Sequence, residues 1–359
     1  MRKKIAIVDP SSRSLPYCFY YVQSVARFYE IDFYCSQGKY NAHFLECMEH
    51  LENVHVHRFE VSSENKIVGL LAYIKLHMVL LSRKYRYSSI HFQWVIFPWI
   101  DMFLMAFYGG QLKLTFHNEV PHGYSGAWYC PFYMLAHIAR GIAFVSPSTR
   151  LAFLAKYGNR FAVKSTVFNH GAISIDPYLP FPEMTNGASL SRLVFWGNVK
   201  EYKGLKFLCD ALSAIGTLGV SVEVYGKFDS DQKYLISSLD EAGVKYVDGF
   251  LSERDVHGLL SGKGVCLVLP YKKATQSGVM YTAMHYALPF ICSDSGDNAT
   301  FLRGIGHDRA VFSYGDTSSL ISSIHYIREN ALSFVESLGV ERGKYSWDYP
   351  LPELDRFYS

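Results

Sequence analysis

The chain has 359 residues, enough at roughly 150 residues per domain for two domains that each bury a core. Hydrophobic residues make up 49% and charged residues 19%, which excludes a disordered chain, and a formal net charge of +3 is too small for a nucleic-acid-binding protein. Aromatic residues reach 16%; such rings fill cores and also line sugar-binding surfaces, so both uses stay open.

Short β-branched or aromatic runs alternate along the chain with longer amphipathic stretches. Lys4–Asp9 is expected as a first buried strand and Leu15–Phe28 as a helix. Further strands are expected at Ile31–Cys35, Val54–Phe59, Ser89–Trp94, Lys113–His117 and Ile142–Val145, with helices Ile67–Tyr85 and Trp99–Tyr108 among them. The segment Asp176–Ser191, with Pro177, Pro180 and Pro182, breaks the rhythm and has the composition of a linker. A second alternation follows, with strands at Leu193–Trp196, Ser221–Tyr225, Val265–Leu269, Phe290–Cys292 and Ala310–Phe312. Its expected helices are Lys203–Ile215, Asp231–Ala242, Glu253–Leu260, Gly278–Tyr286 and Thr317–Leu338. This pattern implies α/β architecture with two Rossmann-like domains in tandem, at about residues 1–175 and 192–345, joined by 176–191 and followed by a segment 346–359.

The seven cysteines are scattered and form no CxxC or Cys/His ligand spacing, as expected of thiols in a reducing compartment. MRKKIAIVDP has too short an apolar stretch for a signal peptide, and no apolar run reaches the roughly 20 residues of a membrane span. A soluble, cytoplasmic protein is the expectation.

Open parallel sheets bind ligands at the carboxyl ends of their strands, and three segments there carry candidate chemistry. In Phe195–Gly204, Gly197 permits a tight turn and Lys203 is expected to open a helix. A cation there opposes the helix dipole unless a bound diphosphate gives both a common anion; a solvated surface lysine is the other reading. In Pro270–Val279, Ser277 can cap a helix and Gly278 can bring a ligand close to free backbone N–H groups, although Ser-Gly before a helix is also an ordinary cap. In Thr115–His122, His117 follows a strand directly, where a ligand contact and a structural role are both open.

Taken together, FWGNVKEYKGLKFLCDAL, LPYKKATQSGVMYTAMHYALPFICSDSG and IHFQW…KLTFHNEVPH resemble the bacterial nucleotide-sugar glycosyltransferases of family four, in their Ser-Gly-Val subgroup. The likeness spans roughly residues 88–300 with the segments in family order. It implies the GT-B fold: two Rossmann-like domains facing a cleft, an N-terminal acceptor domain, a C-terminal donor domain, and a tail, Trp347–Tyr358, that returns to the first domain. Pro350 and Pro352 constrain where a helix in that tail begins.

The implied activity is transfer of a glycosyl group from a UDP- or GDP-linked donor, with retention, to a glycan or polyprenyl-linked acceptor in bacterial surface polysaccharide synthesis. By resemblance, Lys203 and the Ser277-Gly278-Val279 backbone stabilise charge on the departing β-phosphate, His117 touches the sugar or positions the acceptor, and Asn198 joins Lys203 and His117 as a catalytic candidate. The acceptor is also expected near the loop Asp9–Arg13. With the protein supplying the positive potential and no DxD motif read as holding a metal, neither a metal nor a separate cofactor is expected.

Two departures from the family pattern stand out. Asn198 follows Gly197 where an arginine is usual, leaving Lys200 as the substitute charge. Thr282 replaces the second of the paired glutamates, so Gln276 and Thr282 become candidates for holding the donor ribose. Base recognition is assigned to Tyr225-Gly226-Lys227 and Asp248-Gly249-Phe250, which equally suit ordinary turns.

Ile67–Leu81 is strongly apolar and leads into Arg83, Lys84 and Arg86. It suits either a helix packed on the sheet or one lying on an anionic membrane surface. Two other functions are open: a non-catalytic sugar-nucleotide-binding partner, suggested by Asn198 and Thr282, and a nicotinamide-dependent enzyme. The latter is disfavoured because Asp9-Pro10-Ser11-Ser12-Arg13 stands where GxGxxG is expected.

Overall fold

The computed structural model describes residues 2–12, 14–37, 42–118, 129–179, 189–273 and 277–359. The chain forms two units, Met1–Gly171 with Trp347–Ser359, and Ala172–Ser346. The change of unit precedes the proline-rich segment, of which 180–188 lie outside the described residues.

The first unit is built on strands β1 (Lys4–Asp9), β2 (Glu30–Ser36), β3 (Val54–Phe59), β4 (Ser89–Phe92), β5 (Leu112–Phe116), β6 (Gly141–Phe144) and β7 (Ser165–Val167). Its helices are α1 (Leu15–Ala26), α2 (Ala42–Glu49), α3 (Lys66–Arg83), α4 (Pro98–Met105), α5 (Tyr129–Ile138) and α6 (Pro147–Tyr157). The sheet is parallel throughout, in the order β3-β2-β1-β4-β5-β6-β7. Parallel strands covered by helices on both faces need apolar side chains on both, and β4, β5 and β6 are buried end to end.

The second unit holds β8 (Arg192–Trp196), β9 (Ser221–Tyr225), β10 (Lys245–Val247), β11 (Val265–Leu269), β12 (Phe290–Ser293) and β13 (Val311–Phe312). Around them run α7 (Leu205–Asp210), α8 (Leu212–Gly216), α9 (Leu235–Glu241), α10 (Glu253–Leu260), α11 (Gly278–His285), α12 (Gly296–Gly304) and α13 (Thr317–Lys344). This sheet is also parallel, ordered β10-β9-β8-β11-β12-β13. β11, VCLVL, lies at its centre and is buried at every position.

Strand order reverses at β1/β4 in the first sheet and at β8/β11 in the second. Loops leaving two adjacent strands in opposite directions open a crevice at such a point. Each reversal therefore marks where its unit can hold a ligand.

The last helix, α14 (Leu351–Tyr358), belongs to the first unit. Pro350 is its N-cap and Pro352 sits in its first turn, where the missing N–H costs no helical bond. Its Leu354, Phe357 and Tyr358 are buried.

Several elements differ from the sequence expectation. One helix over Lys203–Ile215 is replaced by a 3₁₀ turn at Glu201–Lys203, then α7 and α8. Gly204, at φ 69°, causes the break: a Cβ there would lie 1.7 Å from the Pro270 carbonyl oxygen, so the chain turns left-handed and close against the end of β11. The helix expected to Tyr108 ends at Met105 and continues as a 3₁₀ segment containing Gly109 at φ 57°. The sequence pattern gives no expectation for α2, α5, α6, α12, β7 or β10; β7 and β10 have only three residues each, too few for a period to show.

Candidate functional site

At the β8/β11 reversal, Gly197 is the first residue past β8, and a Cβ on it would lie 2.9 Å from Lys203 Nζ and 3.8 Å from Val279 Cγ2. Glycine therefore leaves the space that the ammonium approaches. Lys203 Nζ also lies 5.4 Å from the Tyr271 ring centroid, a cation–π contact. Burial lowers the pKa of this lysine from its ordinary value, and no acidic side chain pairs with it among the described residues.

Tyr271 is buried, burial pushes its hydroxyl up to about 12, and it lies 3.2 Å from the Ser277 hydroxyl. Ser277 is the N-cap of α11 but makes no side-chain cap bond; its hydroxyl is turned to Tyr271 instead. Among the described residues the N–H groups of the first helical turn thus lack a side-chain acceptor, and a Cβ on Gly278 would meet nothing within 4 Å. A desolvated ammonium on a half-buried lysine, an uncapped helix N-terminus and open space beside Gly278 together make an arrangement suited to an anion.

The loops around this cluster are tied to each other. The Lys272 backbone N–H donates to the Tyr202 carbonyl at 2.8 Å, and the Lys272 ammonium pairs with Glu201 at 2.8 Å. A Cβ on Gly226, at φ 151°, would lie 2.0 Å from the Gly197 carbonyl oxygen, so the turn after β9 requires glycine to close against the turn after β8. The Phe228 N–H donates to the Asp248 carboxylate at 2.9 Å, joining the ends of β9 and β10.

The structure brings Gly197, Lys203, Ser277 and Val279 together, with Gly278 at the start of α11. Lys203 ends a 3₁₀ turn rather than opening a helix, because Gly204 reverses the chain there. Asn198 and Lys200 are exposed, and Lys200 Nζ lies 3.9 Å from Asp229. Lys227 and Phe250 are exposed beyond the ends of β9 and β10, with Gly226 and Gly249 beside them. Thr282 is buried and its hydroxyl donates to the Gly278 carbonyl at 3.2 Å, one turn back along α11. Gln276 lies outside the described residues. Tyr271 and Gly204 were missed as site residues, although both stood inside the quoted motifs; a tyrosine two residues past an apolar strand was the available signal.

In the first unit, His117 follows β5 and stacks flat on Trp94, with ring centroids 4.2 Å apart and planes at 3°. Tyr17 meets it edge-on at 4.9 Å, and the Trp94 indole N–H donates to the Ser14 hydroxyl at 2.6 Å. His117 Nε2 is buried without a hydrogen-bond partner among the described residues. Burial, with His170 nearby, lowers the His117 pKa to about 3, so the ring is neutral; its other nitrogen faces the Gln93 backbone carbonyl as donor, which leaves Nε2 to accept from a hydroxyl. Gln93 Oε1, past the end of β4, is likewise buried and unpartnered. Asp9, at the end of β1, accepts from the Ser14 N–H at 3.4 Å and from the Cys18 thiol at 3.5 Å. Arg13 and 119–122 lie outside the described residues.

Among the described residues no group of histidine, cysteine, aspartate or glutamate side chains is arranged to hold a metal ion. No helix among them is long and apolar enough to cross a membrane. All seven cysteines are free, five of them buried.

A search of the curated proteins gives no match. The family model described as Glycosyl transferases group 1 matches residues 191–330. Among solved structures, HepE of Anabaena in complex with UDP and glucose is similar at a TM-score of 0.69 and 15% identity, covering 99% of this chain and 97% of its own. Sucrose-phosphate synthase of Thermosynechococcus elongatus is similar at 0.72 and 16%, covering 99% and 98%. WaaG, a glycosyltransferase involved in lipopolysaccharide biosynthesis, is similar at 0.64 and 12%, covering 98% of each chain. At these identities the likeness establishes the fold: two parallel-sheet Rossmann-like units of the GT-B type. The sequence match to group 1 glycosyltransferases thus covers residues 191–330, within the second unit, while the likeness in fold extends over nearly the whole chain.

Proposed function

We propose that this protein is a retaining, metal-independent glycosyltransferase that moves a sugar from a nucleoside-diphosphate donor to a glycan or polyprenyl-linked acceptor. The second unit would hold the donor and the first unit the acceptor. The observation that carries the reading is Lys203: a half-buried lysine whose desolvated ammonium has no acidic partner among the described residues, next to the gap left by Gly197. As the bond from the sugar C1 to the β-phosphate oxygen breaks, negative charge collects on the diphosphate. Lys203 and the first N–H groups of α11 would meet that charge without reorganising, which lowers the barrier to departure. The family match over the same residues, and the UDP bound to HepE, support a nucleotide-sugar, with uridine diphosphate favoured.

His117 would present its neutral Nε2 to a sugar hydroxyl. Gly226, Lys227, Gly249 and Phe250 would flank the base. Surface polysaccharide synthesis at the inner face of a bacterial membrane fits a lipid-linked acceptor.

A thermal-shift panel of UDP-sugars, GDP-sugars and NAD identifies the donor. Transfer and hydrolysis assays follow, with and without EDTA. Turnover that survives EDTA and falls about 10²- to 10³-fold in Lys203→Ala is the expected result. Donor binding without turnover would favour the non-catalytic sugar-nucleotide-binding alternative, and stabilisation by NAD alone would remove both readings.

A further inference from the structure

α3 carries two apolar stripes. Gly69, Tyr73, Leu76 and Leu80 face inward, and Tyr73 donates to the buried Asp101 of α4, fixing the two helices side by side. The opposite stripe faces solvent: Ile67, Leu71 and Met78 are 70%, 62% and 66% exposed, with Ile74 between them at i+7 from Ile67. The neighbouring α4 and the turn after it add Trp99, Ile100, Phe103 and Phe107, the last two 65% and 53% exposed. Scattered apolar residues on a surface need no explanation, but eight on two adjacent helices and the turn after the second make a patch.

Exposed Glu60 and Glu64 precede α3, but the charges along the helix and its exit have one sign. From Lys66 to Ile100 there is no aspartate or glutamate, whereas Lys66, Lys75, Arg83, Lys84 and Arg86 fall within α3 and its exit. Just past Phe107, Gly109 and Gly110 open a hollow of about 950 Å³ that Lys113, Arg140, Lys164 and Arg356 also line, with no acidic side chain in its wall. A second copy of the chain would bring these like charges together. An anionic bilayer instead offers hydrocarbon to the rings and phosphates to the basic groups.

We propose that α3 and α4 form a face that lies in the interface of an anionic lipid bilayer, their apolar side chains in the acyl boundary and the flanking cations against headgroup phosphates. The inference deepens the reading of a lipid-linked acceptor, but its test uses neither donor nor acceptor. Failure here would leave the transferase reading standing, and failure there would leave this one.

The test is flotation of the full chain with phosphatidylcholine vesicles, with and without phosphatidylglycerol, at low and high salt. Two variants accompany it: Leu71→Ser/Met78→Ser/Phe103→Ser and Lys75→Gln/Arg86→Gln/Arg140→Gln, each checked for an unchanged melting temperature. Flotation that requires phosphatidylglycerol, weakens with salt, is lost in the first variant and falls about fivefold per neutralised residue in the second is expected. Flotation absent, equal on neutral vesicles, or unchanged in the apolar variant would overturn the proposal. A dimer seen by light scattering and dispersed by the apolar variant would also overturn it, assigning the face to a second copy. Because the wild type is compared across lipid compositions, the test survives even if a variant misfolds.

Discussion

Lys203 combines a charge with burial, and the two conflict. Desolvation disfavours the ammonium and lowers its pKa, while the Tyr271 face offsets part of that, by about 0.5–2 kcal/mol for such contacts. An arriving diphosphate would restore the balance by favouring the charged form. The sign of the pH effect follows: as pH rises through the lowered pKa, the ammonium loses its proton and the anion loses its partner. Affinity for UDP, measured by calorimetry between about pH 7 and 10, should therefore weaken earlier than an ordinary lysine predicts. In Lys203→Arg the guanidinium keeps its proton over that range, so the alkaline loss should disappear even if overall affinity is lower. An unchanged alkaline limb in the arginine variant would separate Lys203 from the bound anion. Lys203 and Ser277 were readable as strand-end residues. The role of Tyr271 was not, because it depends on a ring being held under the amine by packing from another loop.

At the scale of elements, α14 shows how a short helix is held by a few buried polar contacts. The Tyr358 hydroxyl lies 2.8 Å from that of Tyr21 and 2.9 Å from His91 Nδ1, whose Nε2 lies 2.7 Å from the Thr115 hydroxyl. Burial lowers the His91 pKa to about 3, so this line of groups is uncharged and each member relies on its neighbours. Tyr358→Phe keeps the ring and strands the partners, and should cost about 1–3 kcal/mol in urea unfolding with an unchanged m-value. No loss of stability would mean that water replaces the hydroxyl. The tail's two prolines announced where α14 could start, while the structure buries its Leu354, Phe357 and Tyr358. Which groups of β4 and β5 would meet it lay beyond any local pattern, with Tyr358 and His91 separated by 267 positions.

Across the whole molecule, neutral buried histidines are unevenly distributed. His77, His91 and His117 are lowered to about 3 and His170 to about 4, in each case first by burial, and all four belong to the first unit. In the second unit His285 is lowered to about 4 and His307 is also lowered. An unfolded histidine titrates near 6.5, so below that pH the unfolded chain binds protons that the folded chain refuses. The stability these groups contribute is present above about pH 6.5 and lost progressively as pH falls toward 3 to 4. Hydrogen exchange at pH 7 and near pH 5, corrected for intrinsic rates, should show the first unit losing protection before the second. Equal loss in both units would contradict this.

Periodicity, composition and strand-end motifs by themselves determined the two parallel α/β units, most strand positions and the placement of Gly197, Lys203, Ser277 and Gly278 next to strand ends. These are properties of runs of neighbouring residues, and hydrophobic burial acts on them wherever the chain goes. Only the tertiary structure decided that strand order reverses at β8/β11, which brings the Lys203 turn and the start of α11 together around Tyr271. It also decided that one stripe of α3 is left facing solvent, which an apolar run cannot reveal. Both depend on which distant segments pack against which, and contact across such separations leaves no mark on local spacing.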